Sequence, residues 1–241
     1  MTALLALDGV SKRFRGLVAV DRVSFEVQPR EIFAVIGPNG AGKTTLFNMI
    51  AGAMAPDDGI IVFAGEPIQG LTPDAVCRRG IARTFQLVRP FPALSVADNV
   101  MVGALLHHHD HGAARARAEG LLRRLDLFGK RDQIAATLTL PDRKLLEVAR
   151  ALATEPKLLL LDEAMAGLRP TETDRMVATL RQINRETGLT ILLIEHVMRA
   201  VMALASRVLV LDHGSTIAAG APDVVVRDPA VVQCYLGTEA L

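Results

Sequence analysis

Nine consecutive residues near the N-terminus have the composition of a phosphate-binding loop. Positions 37–45 read Gly-Pro-Asn-Gly-Ala-Gly-Lys-Thr-Thr, which fits the pattern G-x-x-x-x-G-K-[ST]. Glycines let the backbone turn so that successive N–H groups converge on phosphate oxygens at a helix N-terminus. In this pattern Lys43 reaches the β- and γ-phosphates and the hydroxyl of Thr44 binds Mg²⁺. The alternative is a glycine-rich turn that merely carries a lysine. The residues predicted to contact the nucleotide are Gly37, Pro38, Asn39, Gly40, Ala41, Gly42, Lys43, Thr44 and Thr45.

Two carboxylates follow an apolar run in the second half of the chain. Residues 158–161 are leucines, and Asp162 and Glu163 come directly after them. In an open α/β sheet, ligands bind at the carboxyl ends of the strands. We expect Asp162 to hold Mg²⁺, directly or through water, and Glu163 to orient or deprotonate the attacking water. An acidic cap on the next element is the alternative reading.

Two other polar residues also end apolar runs. His196 follows residues 191–194 after one intervening glutamate and is predicted to hydrogen-bond the γ-phosphate. Gln86 follows residues 81–85 and is predicted to offer its amide oxygen to Mg²⁺ or to the water. A lone histidine after a strand is more often structural, so these assignments depend on the two stronger signals.

The surrounding segments must bring these residues together. Residues 32–36 read as a buried strand and residues 45–51 as a helix, with the phosphate-binding loop between them. Apolar runs at 158–162, 190–194 and 208–211, with a helix at 171–185, indicate a parallel sheet covered on both faces. Shorter segments typical of strands lie at 4–7, 17–20, 23–27 and 60–64.

A helical block interrupts this pattern. Ser95 is predicted to cap a first helix, and helices follow at 113–127 and 141–153. The sequence therefore predicts an α/β core with an antiparallel β subdomain and an inserted α-helical subdomain. The predicted single domain spans 1–241, with the core and β subdomain at 1–90 and 156–241 and the helical subdomain at 91–155.

Composition narrows the class of protein. The 241 residues carry 27 Lys and Arg against 26 Asp and Glu, a net charge of +1, which gives no support for a nucleic-acid partner. Cys77 and Cys234 match no disulfide or metal pattern. We expect a cytoplasmic protein whose membrane association goes through a partner, because the apolar runs are too short to span a bilayer.

Taken together, these motifs resemble the ATP-binding-cassette (ABC) ATPase family from about residue 7 to residue 237. The phosphate-binding loop, Gln86, the Asp162–Glu163 pair and His196 follow the order of that family. The resemblance implies a P-loop NTPase fold with ATP and Mg²⁺ as cofactors, and hydrolysis carried by Lys43, Glu163 and His196. It further implies that Phe14 stacks on adenine and that residues 166–168 meet an opposite ATPase subunit.

The chain departs from this family at its signature, commonly Leu-Ser-Gly-Gly-Gln, which closes over ATP held by the other subunit. Residues 138–142 read Leu-Thr-Leu-Pro-Asp. Thr139 keeps a hydroxyl, whereas Pro141 removes one backbone N–H donor. A proline near a helix start costs little structurally. We therefore predict a variant signature, and an asymmetric pair with a partner ATPase that carries a fuller one.

A narrower resemblance is to the ATPase subunits of branched-chain amino-acid importers, carried by residues 80–86, 91–100, 210–220 and 235–237. It implies that the chain binds integral membrane permease subunits and lies on the cytoplasmic face of the membrane. A solute-binding protein would be an indirect partner. Residues 87–100 are the predicted docking segment, with a simple hinge and surface helix as the alternative. Urea or short-chain amide importers share these features.

Two alternatives in other functional classes stay open. One is an ABC ATPase uncoupled from transport, for example in cluster assembly, and the other is a regulatory protein that binds ATP without hydrolysing it. Histidines at 107–109 and 111 raise a metal hypothesis, but they have no spaced partner and are predicted to lie in a solvated loop.

Overall fold

The chain forms two β-sheets. In the sequence, a block of helices is inserted between two strands that are neighbours in the larger sheet. A computed structural model describes residues 2–86 and 88–236; Leu87 and residues 237–241, which include the first residue of the predicted docking segment and the end of the resemblance, lie outside this description. The strands are β1 (Leu5–Phe14), β2 (Leu17–Val27), β3 (Ile32–Ile36), β4 (Asp58–Phe63), β5 (Glu66–Pro67), β6 (Ile81–Arg83), β7 (Leu158–Asp162), β8 (Thr190–Ile194), β9 (Arg207–Asp212) and β10 (Ser215–Gly220). The helices are α1 (Lys43–Ile50), α2 (Pro73–Arg78), α3 (Val96–Ala104), α4 (His111–Arg124), α5 (Leu140–Ala153), α6 (Pro170–Thr187), α7 (Met198–Leu204), α8 (Pro222–Val225) and α9 (Pro229–Leu236).

The larger sheet has the strand order β10-β9-β3-β8-β7-β6, parallel except for the antiparallel pairing of β10 with β9. Strands β3, β7 and β8 are buried at every residue. Along β3, Ile32 and Ala34 pack into one hydrophobic core while Phe33 and Val35 pack into the other. Two covered faces explain why these strands are continuously apolar.

The smaller sheet is antiparallel, with the order β2-β1-β4-β5. The separate strands predicted at 17–20 and 23–27 form one long strand, β2, whose register against β1 shifts at three points. Such bulges let pairing continue through the polar Asp21–Arg22 step. The ring of Phe25 stacks on Phe33 of the larger sheet at 5.2 Å between centroids.

Helices α3 to α5 form the inserted block, so the predicted α/β fold with its helical insertion is confirmed; the exact boundaries at 90/91 and 155/156 stay a prediction. Ser95 caps α3 as expected, accepting a hydrogen bond from the N–H of Asp98. Helix α4 begins at His111, earlier than predicted, because Asp110 caps it by accepting from the N–H of Ala113. Across the described residues, no helix has the length and apolar character needed to cross a membrane.

Candidate functional site

The phosphate-binding loop joins β3 to α1 as predicted, although α1 starts at Lys43 rather than at residue 45. Its N-cap residue, Gly42, has φ 99° and provides no side-chain cap. The N–H groups of the first turn are therefore left for an acceptor from outside the helix. A Cβ on Gly42 would lie 2.2 Å from the carbonyl oxygen of Ala19, and one on Gly37 would lie 2.1 Å from that of Leu211. Neither position has room for a side chain.

Lys43 lies over this loop. Its side chain is buried, and its Nζ donates to the carbonyl oxygens of Gly37 at 2.7 Å and Pro38 at 2.8 Å. These bonds use two of the three donors of the ammonium group. Burial lowers the pKa of Lys43, while the carboxylates of Glu163 and Asp162 oppose that effect. The positive charge thus stands between the loop and the acidic pair.

A cleft of about 460 Å³ opens beside the loop. Its walls combine the loop, an apolar strip at the junction of β1 and β2, and three polar side chains from outside the loop. Phe14 in the apolar strip is 42% exposed, so its ring is open to a ligand. This arrangement suits a molecule with a flat, weakly polar end and an anionic end. The cleft is lined by Phe14, Leu17, Val18, Ala19, Asn39, Gly40, Ala41, Gly42, Lys43, Thr44, Thr45, Gln86, Glu163 and His213.

Three of the predicted polar residues meet at one edge of the sheet. Gln86 donates from Nε2 to Oε2 of Glu163 at 2.8 Å, and Nδ1 of His196 lies 3.9 Å from the same oxygen. Glu163 has φ 49°, a left-handed conformation that costs a non-glycine residue about 1–3 kcal/mol and must be held by its surroundings. His196 is more than half exposed and stands at the rim of the group.

Asp162 is placed differently from its neighbour. It is 2% exposed, and its Oδ2 accepts from Nη2 of Arg83 at 2.7 Å. The same guanidinium donates from Nη1 to Oδ1 of Asn48 at 2.6 Å. Arg83 therefore neutralises the carboxylate that the sequence assigns to Mg²⁺, a contact that was not predicted.

The residues present nevertheless fit a magnesium ion. The second carboxylate oxygen of Asp162, Oδ1, is buried and has no hydrogen-bond partner among the described residues. Thr44 is exposed at the start of α1, beside the cleft. Mg²⁺ bound with nucleotide phosphates needs only one or two protein oxygens and keeps several waters. The described part of the chain contains no cluster of three or more His, Cys, Asp or Glu side chains that could hold a metal on its own.

Some charged residues near the site were not predicted from the sequence. Glu195 is 1% exposed, and its Oε1 accepts from the N–H of Met165 at 2.8 Å, which ties the loop after Glu163 to the end of β8. Burial raises the pKa of Glu195. In the sequence, Glu195 is recognisable only as a charged residue next to an apolar strand. Arg83, at the end of β6, is likewise a charged residue at the end of a strand.

The variant signature forms the start of α5. Thr139 is the N-cap, and its hydroxyl donates to Oδ2 of Asp142 at 2.6 Å. Lys130 donates to the same carboxylate oxygen at 2.5 Å. Pro141 sits in the first turn, where a helix needs no N–H from it. The helix thus accommodates the proline, and its consequence for a nucleotide on another subunit stays a prediction.

Comparison with known proteins connects this geometry to a family. Residues 20–166 match the ABC transporter family, and residues 215–240 match a family described as branched-chain amino acid ATP-binding cassette transporter. The chain is 37% identical to the high-affinity branched-chain amino acid transport ATP-binding protein LivG of Escherichia coli K12, over 97% of this chain and 98% of LivG. It is 36% identical to BraF of Pseudomonas aeruginosa, with the same coverage. The lipopolysaccharide export system ATP-binding protein LptB of Escherichia coli K12 is 35% identical over 98% of both chains.

Solved structures give the same result. The ADP conformation of MJ1267, an ATP-binding cassette of an ABC transporter, matches with a TM-score of 0.89 and 30% identity over 98% of this chain and all of that one. The dimeric cassette MJ0796 shares the fold, with a TM-score of 0.82 and 22% identity over 90% of this chain and 98% of that one. The family resemblance and the fold predicted from the sequence are both confirmed. The chain belongs to the ABC transporter family, as one of its nucleotide-binding ATPase subunits.

Proposed function

We propose that this ATPase powers the import of branched-chain or related amino acids. Two observations support the substrate class. Relatives that align with nearly the full chain are named as branched-chain amino acid transport proteins, and residues 215–240 match a family described as branched-chain amino acid ATP-binding cassette transporter. LptB is almost equally similar and serves lipopolysaccharide export, so similarity of the cassette alone does not select a cargo. The C-terminal match therefore supports the amino-acid importer, and the choice against a urea or amide importer is left to experiment.

The hydrogen bond between Gln86 and Glu163, beside the phosphate-binding loop, is the observation that supports the proposed mechanism of hydrolysis. The loop amides and Lys43 bind the β- and γ-phosphates of ATP, and Phe14 stacks on the adenine. Glu163 orients the attacking water and accepts its proton, while Gln86 fixes the Glu163 carboxylate. His196 contacts the γ-phosphate from the rim. Transfer of the phosphoryl group depends mainly on this positioning and on charge compensation.

Magnesium has a defined place in this proposal. Thr44, Asp162 and Gln86 are the residues that would hold Mg²⁺, with Asp162 acting directly or through water. The ion supplies positive charge to the phosphate oxygens, on which negative charge accumulates during transfer. The orphaned Oδ1 of Asp162 is the atom that supports this assignment.

Two ATPase subunits are proposed to work as an asymmetric pair. Pro141 provides no N–H for a nucleotide held by the other subunit, so this chain would complete its partner's site less well than a glycine-containing signature. We expect slow ATP turnover by the chain alone and faster turnover once a partner ATPase is added. Vigorous, cooperative hydrolysis by the isolated chain would contradict the asymmetry.

Membrane subunits are proposed to dock on the predicted segment, residues 87–100, and on the groove next to Gln86, with the chain on the cytoplasmic side of the membrane. A groove of about 330 Å³ there is bordered by Phe85, Val102 and Arg150. Phe85 is 55% exposed and Val102 43% exposed, so the groove presents apolar side chains to a partner. A solute-binding protein would act indirectly through the permease, and a nucleic-acid partner is not expected.

The experiment that tests the proposed function is purification of the chain with its membrane partners, followed by reconstitution into vesicles. Branched-chain amino acids with their binding protein should stimulate ATP hydrolysis, whereas urea should not. Stimulation by urea alone would reassign the cargo. Purification without any membrane protein would favour an ABC ATPase uncoupled from transport, and binding of ATP without hydrolysis even with partners would favour the regulatory alternative.

A further inference from the structure

Helix α5 presents three charged residues on one face, at a spacing of three residues. They are Lys144, Glu147 and Arg150, of which Lys144 is 6% exposed and Glu147 is 5% exposed. Charged side chains are rarely buried to this degree unless they are bonded. All three bind main-chain atoms of loops that carry residues of the candidate site.

Glu147 bridges two N–H groups on either side of Gln86. Its Oε1 accepts from the N–H of Arg89 at 2.8 Å, and its Oε2 accepts from the N–H of Phe85 at 3.3 Å. A carboxylate can accept at both oxygens, whereas an amide of the same shape presents an NH₂ group at one end. Arg150 supports the contact by donating from Nη1 to the carbonyl oxygen of Arg89 at 2.7 Å.

Lys144 holds the other partner of the site. Its Nζ donates to the carbonyl oxygen of Glu163 at 2.8 Å, on the residue whose left-handed backbone needs external support. Burial lowers the pKa of Lys144, and the carboxylates of Glu195 and Glu147 are the largest opposing influences. The charged ends of Lys144 and Glu147 are bonded to main-chain atoms of Glu163, Phe85 and Arg89, so any effect on hydrolysis must pass through these neighbours.

We infer that Glu147 and Lys144 are positioning residues for ATP hydrolysis: from α5 they hold the backbone on either side of Gln86 and the carbonyl group of Glu163, so that the side chains of Gln86 and Glu163 stay within hydrogen-bond distance. This inference rests on the proposed roles of Gln86 and Glu163. Because Thr139 caps α5, the helix links the variant signature at one end to the hydrolytic geometry of the same subunit. Movement of α5 therefore changes the site without touching the nucleotide.

The test uses the full chain carrying Glu147→Gln, with Glu119→Gln as the matched control. Glu119 lies on α4, where its carboxylate bonds to Arg115 and Arg123 away from the cleft. In Glu147→Gln one of the two N–H groups, that of Phe85 or that of Arg89, loses its acceptor and should exchange hydrogen about tenfold faster. Single-turnover hydrolysis of Mg-ATP should slow about tenfold, with nucleotide affinity unchanged within about twofold. The control should change neither quantity.

A double variant separates positioning from general stabilisation. If Glu147 acts through Gln86, Gln86→Ala with Glu147→Gln should hydrolyse ATP no more slowly than Gln86→Ala alone. If the two substitutions multiply their effects on the hydrolysis rate, or if hydrogen exchange at Phe85 and Arg89 is unchanged in Glu147→Gln, the inference is wrong. A full rate in Gln86→Ala would show instead that the proposed role of Gln86 is wrong, while the exchange result still decides the contact.

Two further variants keep the inference testable if Glu147→Gln does not fold. Glu147→Asp retains the charge but is one methylene shorter, so it should show a smaller change in the same two measurements. Lys144→Met should speed exchange in the loop after Glu163 and slow hydrolysis without weakening nucleotide binding. Parent-like exchange and hydrolysis in both variants would contradict the inference.

Discussion

The two walls of the nucleotide cleft are built in opposite ways. The phosphate-binding loop is nine consecutive residues, shaped by its own backbone and by close approaches at Gly37 and Gly42. The opposite wall joins Gln86 to Glu163, which are 77 positions apart in the chain, and buried charges on α5 hold both backbones. Damage to the loop should therefore abolish nucleotide binding, whereas damage to the opposite wall should leave binding intact and slow the chemistry.

The largest effect is expected from the loop lysine. Lys43→Ala removes the one side-chain cation that lines the described cleft, so the charge on the terminal phosphates is no longer compensated. Turnover of Mg-ATP should fall by about 100-fold or more, and ATP affinity should fall with it. Lys157→Ala, at an exposed position before β7, is the control. Turnover within about twofold of the parent would remove Lys43 from the mechanism.

Two neighbouring glycines test whether the loop depends on close packing. Gly42→Ala places a methyl group 2.2 Å from a carbonyl oxygen, whereas at Gly40, with φ 82°, a methyl group meets nothing within 4 Å. Gly42→Ala should lower the free energy of unfolding by roughly 2–4 kcal/mol and impair ATP binding. Gly40→Ala should carry only the conformational cost of about 1–2 kcal/mol. Urea denaturation measures both, and equal losses would show that the contact at Ala19 is relieved by movement.

The smallest effect is expected at the apolar end of the cleft. Phe14→Ala removes the exposed ring proposed to stack on adenine, so ATP affinity should fall about three- to tenfold while the rate at saturating ATP is kept. Phe91→Ala is the matched control, because Phe91 is equally exposed, at 42%, but packs under Arg150 away from the cleft. Equal affinities for the two variants, measured by nucleotide titration, would exclude stacking on Phe14.

The difference between the two walls also explains which parts of the site can be predicted from the sequence. The loop is a local pattern in which residue types and spacing are enough to define the backbone. The buried strands β3, β7 and β8 are almost as easy to predict, because their two covered faces leave polar residues only at strand ends, at Asp162 and Thr190. The proximity of Gln86, Glu163 and His196 follows from parallel strands whose carboxyl ends share an edge.

Long-range polar contacts could not be predicted in this way. The bond from Arg83 to Asp162 and the contacts of Lys144 and Glu147 depend on how α5 and β6 pack against β7, which no local pattern encodes. Along an amphipathic helix such as α5, the sequence does not show which charged residues face solvent. Two helix starts also differ from the prediction: α1 begins directly after Gly42, which has no side chain to cap it, and α4 begins directly after its cap, Asp110.

The most direct test of the account is the separation of binding from hydrolysis at Glu163. Glu163→Gln keeps the size of the side chain and its place beside Gln86 but cannot accept the proton of the attacking water. The account predicts that this variant binds Mg-ATP within about threefold of the parent affinity and hydrolyses it at least about 100-fold more slowly. Hydrolysis at the parent rate would contradict the account, because Glu163 would then have no part in activating the water.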